Sequence, residues 1–189
     1  MQPLLTVLVG LATLAYPLLV YFGMGTLEPR RMALLLLALA LARASMSRRR
    51  LEGAAAAAGA ALLAAAAWAG NAWLPLKLYP VMVNVVLLAV FAASLRWGPP
   101  LVERLARLRE PDLPPAGVAY TRRATQAWCG FFVVNGSAAL ITALWCSDAV
   151  WALYNGLLSY GLIGLFFATE WLLRQRLRRR LQAVGNRHA

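Results

Sequence analysis

Long apolar runs separated by arginine clusters are the feature that most constrains how this chain folds. The hydrocarbon core of a bilayer is about 30 Å thick, and about 20 apolar residues of helix cross it. Six runs of this kind, bounded by charges or by glycine and proline, cover residues of about 3–22, 29–47, 53–73, 80–95, 125–145 and 149–173. The sequence therefore predicts an all-α, polytopic membrane helix bundle with six transmembrane helices, formed by residues 1–189 as a single integral membrane domain.

The composition excludes the common soluble alternatives. Charged residues make up 14% of the chain and hydrophobic residues 61%, whereas soluble domains carry about 25% charged residues. Neither a soluble globular enzyme nor a disordered tail has these proportions.

The second run is interrupted by arginines near both ends. Arg31 and Arg43 bracket only residues 32–42, which extend about 17 Å as a helix. Extension from Pro29, a favourable first-turn residue, to Ser47 gives about 28 Å if both arginines reach toward the interfaces. We therefore predict a short span here.

The basic residues predict the orientation of the helices. Lys and Arg total 19 against 7 Asp and Glu, a net charge of +12, and short cytoplasmic loops carry the excess of Lys and Arg. If all six runs cross and both termini are cytoplasmic, only Arg30, Arg31 and Lys77 fall on the outer side. The first run lacks a basic start and a small-residue cleavage site, which predicts a retained helix rather than a signal peptide.

The longest connection, residues 98–120, is a predicted cytoplasmic loop that contains a short interfacial amphipathic helix. Four apolar residues share one face of that helix: Leu101, Val102, Leu105 and Leu108. Three arginines elsewhere on it form a candidate surface for a cytosolic partner or anionic lipid: Arg104, Arg107 and Arg109. The alternative is a solvated connector with an amphipathic edge.

Residues 174–189 form a predicted basic cytoplasmic tail, with five arginines between Arg174 and Arg180. Clusters of this kind bind anionic lipid or nucleic acid. Positive-inside anchoring already accounts for this one, so we expect membrane lipids as partners and no nucleic acid.

The third run consists mainly of alanine and glycine. Ala57, Ala61 and Ala65 recur at four-residue spacing, and small residues at this spacing let helices approach closely in lipid. This pattern predicts a tightly packed internal helix, although a genome biased toward alanine and arginine would give the same composition.

Polar side chains within the apolar runs are the strongest indication of a site, because they are costly in lipid unless they have partners. Counting about 1.5 Å per helical residue from the charged boundaries places four of them at a similar depth on four helices: Tyr16, Asn84, Asn135 and Asn155. With Tyr154 and Ser159 nearby, they predict an internal polar pocket in the outer half of the membrane. The alternative is a set of interhelical hydrogen bonds that only fix packing.

Small or rigid residues follow three of these polar side chains. Asn135 and Asn155 precede Gly136 and Gly156, where the missing Cβ lets a neighbouring backbone or a ligand approach. Tyr16 precedes a proline, which frees a carbonyl one turn back and can kink the helix.

A second candidate cluster lies at the predicted cytoplasmic ends of the fifth and sixth helices, and comprises Arg122, Arg123, Gln126 and Glu170. Because these helices run antiparallel across a short turn, we expect Arg122 or Arg123 within salt-bridge reach of Glu170. The cluster is then either a lock between helices or a guanidinium site for a phosphate, a carboxylate or a phosphopantetheine arm.

Residues for independent catalysis are scarce. The single histidine is His188, and the acidic residues lack the spacing of a divalent-metal site. No Ser, Thr or Cys has an evident base partner. We predict no metal, no cofactor and no catalysis by the isolated chain, while an active site shared with a partner stays open.

Four stretches resemble a family of small bacterial inner-membrane proteins, namely 78–84 (LYPVMVN), 105–115 (LARLREPDLPP), 120–129 (YTRRATQAWC) and 151–156 (WALYNG). Members are often encoded beside fatty-acid-synthase-like and acyl-carrier-protein genes of aryl polyene or xanthomonadin-type pigment clusters. The resemblance implies a multi-pass protein of the bacterial inner membrane that handles a polyene acyl lipid. Acyl carrier protein or other biosynthetic proteins are the implied partners, and no catalytic role carries across.

Three functions are compatible with these features. An accessory protein would recruit acidic carrier proteins or synthase components through the cytoplasmic arginines. A lipid or small-molecule transporter would bind its ligand at the polar layer, with the Tyr-Pro pairs at 16–17 and 79–80 indicating an inverted repeat. A transferase would use a cytosol-facing site at Arg122, Arg123 and Glu170. The accessory function is favoured here, followed by transport.

Overall fold

The computed structural model describes residues 15–24, 26–46, 50–108 and 110–185, and their side chains except at 43, 46, 50–56 and 177–185. All regular structure in these ranges is helical, which confirms the all-α class. The helices are α1 Tyr16–Gly23, α2 Pro29–Met46, α3 Arg50–Gly70, α4 Leu74–Lys77, α5 Tyr79–Arg96, α6 Leu101–Arg107, α7 Pro115–Trp145, α8 Asp148–Leu153 and α9 Ser159–Gly185. A π-helical turn, Tyr154–Leu158, joins α8 to α9 without a break.

Three helical segments are long and apolar enough to cross a membrane: Tyr79–Arg96, Pro115–Trp145 and Asp148–Arg176. These correspond to the fourth, fifth and sixth predicted runs. The second run is the helix α2, and the described apolar stretch of the third is the shorter Ala57–Gly70. The first run is described only from residue 15, and its earlier part lies outside the described residues, as do Ser47, Arg109 and His188.

The helices pack as two pairs connected through the single turn of α4. α2 lies along α3, and α5 lies along α7, whereas α1 packs against α8 and the π-helical turn. α4 contacts α1, α2, α3, α5 and α7, and its Leu76 is fully buried. This end of the bundle is called the α4 end below, and the opposite end, where α6 packs on α7, is called the α6 end.

Polar contacts fix α4 in place. The Tyr16 hydroxyl donates to the Leu76 carbonyl at 3.2 Å, and the Trp151 indole N–H donates to the Lys77 carbonyl at 3.1 Å. Lys77 Nζ also lies 2.9 Å from Asp148 Oδ1. These bonds satisfy carbonyls that a helix terminus leaves without partners, and they connect α4 to both α1 and α8.

The alanine-rich helix α3 packs through small residues, but not through the predicted face. Ala65 of the predicted Ala57, Ala61 and Ala65 set is exposed. The residues buried in the core with α2 are Ala60, Ala64 and Ala67. Because nearly every face of an alanine helix is small, the sequence pattern could not identify the face that the neighbouring helix covers.

Helix extends into both the predicted loop and the predicted tail. α7 begins at Pro115 and runs for 31 residues, about 46 Å, so only the first part of 98–120 is a connection between helices. The backbone of the predicted tail is helical as far as Gly185. Leucine, arginine and glutamine in this segment are good helix formers, and no proline interrupts them.

The structure forms a helix, α6, within the predicted loop, and α6 packs on α7. α6 buries Val102, Glu103 and Ala106, whereas Leu105 and Leu108 are exposed. Apolar spacing alone could not anticipate a buried glutamate, which is stabilised by its ion pair with Arg107 at 2.8 Å. The Val102 N–H, 3.4 Å from Thr125 Oγ1, places α6 against α7.

The Lys77–Asp148 ion pair gives a first prediction. Asp148→Asn leaves the Lys77 ammonium, whose side chain is 10% exposed, without an anionic partner. We expect a loss of about 1–2 kcal/mol in the free energy of unfolding, toward the low end for charged hydrogen bonds because Asp148 is half exposed. Unfolding in mixed detergent micelles measures it, with the exposed Asp112→Asn as control. Equal stability of the two variants would contradict a stabilising role for the pair.

Candidate functional site

A cavity of about 340 Å³ lies between α1, α5, α7 and the segment that joins α8 to α9. Five of the six side chains predicted to form a polar pocket line it: Tyr16, Asn84, Asn135, Asn155 and Ser159. The sixth, Tyr154, donates a hydrogen bond to Asn135. The structure therefore places the predicted polar layer around one space, and ligand binding there stays a prediction.

The polar side chains form a directed chain of hydrogen bonds across three elements. The Tyr154 hydroxyl donates to Asn135 Oδ1 at 2.9 Å, and Asn135 Nδ2 donates to Asn84 Oδ1 at 3.1 Å. Asn84 Nδ2 then donates to the Pro80 carbonyl at 2.8 Å. Because a carbonyl only accepts, this last bond fixes the orientation of both amides.

Asn155 is held separately, within the π-helical turn. Its Nδ2 donates to Thr142 Oγ1 at 3.2 Å and to the Trp151 carbonyl at 2.9 Å. The Ser159 hydroxyl donates to the backbone carbonyl of Asn155 at 3.3 Å. A π-helical turn adds one residue to the helix and is often found at functional sites. Here it contains both Tyr154 and Asn155, and each of them bonds to α7.

Two glycines allow the close helix contacts around the cavity. A Cβ at Gly136 would lie 3.0 Å from the Asn84 Cβ, and a Cβ at Gly156 would lie 3.0 Å from Leu18 Cδ2. Both distances are shorter than an ordinary carbon contact of about 3.5–4.0 Å. At both glycines the atom that approaches is a side-chain atom of a neighbouring helix, whereas the sequence analysis expected a backbone or a ligand.

Aromatic side chains bound the cavity along the bundle axis. Toward the α4 end, the Tyr16 and Tyr79 rings pack with centroids 4.7 Å apart. Toward the α6 end, Phe132 packs on Phe91 at 5.1 Å and belongs to the same buried cluster as Trp128. Aromatic pairs at these separations are attractive, so both ends of the cavity are packed with protein.

The side of the cavity between α5 and α9 is different. These two helices line it from opposite sides but do not pack along each other within the described residues. Leu87 of α5 and Ile163 of α9 line this side, and Leu87 is 38% exposed. Apolar side chains of α5 and α9 therefore line the cavity, and one of them, Leu87, is partly exposed.

The second predicted cluster is not assembled as expected. Glu170 pairs with Arg174 of its own helix at 2.8 Å, and Arg122, Arg123 and Gln126 are exposed. The residue of α7 that reaches this glutamate is Tyr120, whose hydroxyl donates to the Glu170 backbone carbonyl at 2.9 Å. An arginine one turn along the same helix satisfies the carboxylate without a contact between helices.

The predicted arginine surface of the loop is partly occupied by internal bonds. Arg104 Nε donates to the Pro99 carbonyl at 2.8 Å, and Arg107 donates to Glu103 and to the Pro111 carbonyl. Arg109 lies outside the described residues. The described arginines therefore stabilise the connection between α5 and α7.

Several residues of the site were missed by the sequence analysis. Thr142 and Trp151 hold the Asn155 amide, and Lys77 pairs with Asp148. The Lys77–Asp148 pair could have been predicted, because the two residues lie in connections that are both expected on the outer side of the membrane. The threonine had none, since threonines are common in helices and no pattern singles this one out.

Comparison of the chain with family models, curated proteins and solved structures finds no match. Within the described ranges, no three His, Cys, Asp or Glu side chains lie close enough together to hold a metal ion. The site is therefore defined by its own geometry, as an amide-lined and hydroxyl-lined cavity with apolar walls.

The glycine contacts give a second prediction, with a matched control on the same helix. Gly136→Ala places a methyl group against Asn84, whereas a Cβ at Gly130 meets nothing within 4 Å. In helix interiors alanine is otherwise favoured over glycine by about 1 kcal/mol. We expect Gly130→Ala to raise the unfolding free energy in detergent and Gly136→Ala to lower it. A gain of stability in both variants would show that α5 does not approach α7 so closely.

Proposed function

We propose that this chain is a membrane protein that binds an acyl or polyene lipid in the cavity between α1, α5, α7 and α9. The observation that supports the proposal is a space of about 340 Å³ that is lined by polar groups from several helices and by apolar side chains. Ligand sites in proteins combine apolar walls with a few placed polar groups in this way. The polar groups would hold the head of the lipid, and the walls would pack on its chain.

The apolar lining contributed by α5 and α9 favours a ligand that is already dissolved in the bilayer. Three helical segments of the chain have the length and composition of membrane spans, and two of them contain the cavity-lining helices α5 and α9. The apolar side chains of this lining are Val83, Leu87 and Ile163. A lipid would enter sideways with its chain among these residues and its polar end toward the asparagines.

For the whole chain we propose six membrane crossings in the bacterial inner membrane, with both termini cytoplasmic. α2 and α3 have 18 and 21 residues, about 27 and 31 Å, and they pack together as neighbouring helices. The Arg30 guanidinium near the end of α2 bonds the Trp68 carbonyl and lies over the Trp68 ring. Such an arginine at an interface is compatible with a short span.

The resemblance to pigment-cluster proteins supplies the biosynthetic setting of this proposal. In that setting the bound lipid would be an acyl or polyene intermediate, and acyl carrier protein or other biosynthetic proteins would be the partners. Recruitment through Arg104 and Arg107 has less support, because both guanidinium groups bond within the loop. A transferase site has less support as well, because Glu170 pairs with Arg174 and not with Arg122 or Arg123.

Filling the cavity tests the proposed function. Ser159 lines the cavity, and Ser137 on α7 is exposed. Ser159→Phe occupies the space that a ligand would use, whereas Ser137→Phe adds the same ring outside it. We expect lipid extracts of the purified wild type and of Ser137→Phe to contain one enriched lipid species by mass spectrometry, and extracts of Ser159→Phe to lose most of it. An identical lipid profile in all three proteins, each eluting as a folded species, would contradict binding in the cavity.

Reporter fusions test the proposed topology. Green fluorescent protein folds in the cytoplasm and alkaline phosphatase is active outside it, so the two reporters give opposite signals. We expect fusions at both chain ends and within the 98–114 connection to fluoresce, and fusions near Asn71 and Ser147 to show phosphatase activity. Chain ends on opposite sides of the membrane would refute an even number of crossings.

A further inference from the structure

We infer that the cavity selects a lipid whose polar end is uncharged and both accepts and donates hydrogen bonds, such as an alcohol or a primary amide. This inference rests on the proposed function, because it specifies the ligand of the same cavity. It follows from counting the hydrogen-bonding positions that the lining side chains leave uncommitted.

Two amide N–H groups are available as donors. An asparagine amide carries two N–H bonds. Asn84 uses one for the Pro80 carbonyl, and Asn135 uses one for Asn84 Oδ1. The second N–H of each amide has no acceptor in the described part of the chain. Both asparagines line the cavity, so a hydroxyl or carbonyl oxygen of a ligand would accept from them.

One amide oxygen is available as an acceptor. Asn155 is 3% exposed, and both of its N–H bonds are used, by Thr142 and by the Trp151 carbonyl. Its Oδ1 accepts no hydrogen bond from the described residues. Every fully enclosed side-chain oxygen and nitrogen in the described ranges has a partner, so this oxygen lies at the cavity surface. A ligand O–H or N–H at the cavity surface would donate to this oxygen.

None of the described residues that line the cavity carries a charge at neutral pH. At the α4 end the ammonium of Lys77 is already paired with Asp148. A phosphate or carboxylate at the asparagines would therefore lose its hydration without gaining a counter-ion, which disfavours a charged head group there. A neutral hydroxyl or amide would meet both the donors and the acceptor without that cost.

Three probes that share one acyl chain test this inference. A monoacylglycerol has hydroxyls that donate and accept, its dimethyl ether only accepts, and the matching lysophosphatidic acid adds a charged phosphate. Each is titrated against the full chain in detergent micelles, and bound lipid is counted by native mass spectrometry. We expect the monoacylglycerol to bind at least about tenfold more tightly than either analogue, equivalent to about 1.4 kcal/mol.

A variant separates the role of the acceptor from general lipid binding. Asn155→Leu removes this amide acceptor, so its preference for the monoacylglycerol over the dimethyl ether should fall well below tenfold, whereas the exposed control Ser137→Leu keeps the tenfold preference. The wild-type comparison needs no variant and remains decisive if Asn155→Leu fails to fold. Equal binding of lysophosphatidic acid and the monoacylglycerol would overturn the neutral-head inference while leaving lipid binding intact. If none of the three probes binds, the proposed function itself fails.

Discussion

Hydrogen-bonding groups inside a membrane-embedded helix bundle need partners within the protein, because hydrocarbon offers none. This constraint accounts for most of the polar geometry of the chain. Within the described residues, each fully enclosed side-chain nitrogen and oxygen has a partner. Asn135 meets the requirement by joining α7 to α5 and to the π-helical turn, and Asn155 meets it by joining that turn to Thr142. The same amides have more bonding positions than packing uses, so the groups that hold the helices together also give the cavity its polarity.

The cavity lies between two packed regions of the bundle. At the α4 end, α4 is fixed by the Tyr16 hydroxyl, the Trp151 indole and the Lys77–Asp148 pair. Toward the α6 end, an aromatic cluster around Trp128 fills the space, with the Phe166 ring 4.6 Å away. Between these two regions the lining positions of the π-helical turn and α9 include the small side chains of Asn155 and Ser159. Small side chains there leave a space that large ones would fill.

The class of the fold and most residues of the cavity could be predicted from the sequence, because both depend on where apolar and polar residues occur along each helix. Polar residues are rare in apolar helices, so counting depth along each helix was enough to bring Tyr16, Asn84, Asn135 and Asn155 to one level. Depth along the helix axis is fixed by the rise per residue. The prediction used no information about rotation around the axis, and no contact between particular side chains followed from it.

Features that depend on how a helix is rotated about its axis, or on which of several side chains pairs with a given residue, were predicted less well. The buried face of α3 was misplaced because alanine occupies nearly all of its faces, and the burial of Glu103 in α6, where it pairs with Arg107, was not anticipated. The expected pairing of Glu170 with an arginine of α7 lost to Arg174, which is nearer on its own helix. The π-helical turn and α4 had no sequence signal that the apolar pattern could detect.

Photocrosslinking in native membranes tests the central claim, that a lipid occupies the cavity, most directly. A benzophenone amino acid is placed at Leu87, which lines the cavity, or at Val85, which is 58% exposed on the same helix and does not line it. After irradiation, the lipid adducts are identified by mass spectrometry. The account predicts one enriched neutral lipid at Leu87 and a mixture of bulk phospholipids at Val85. The same phospholipid mixture at both positions would contradict it.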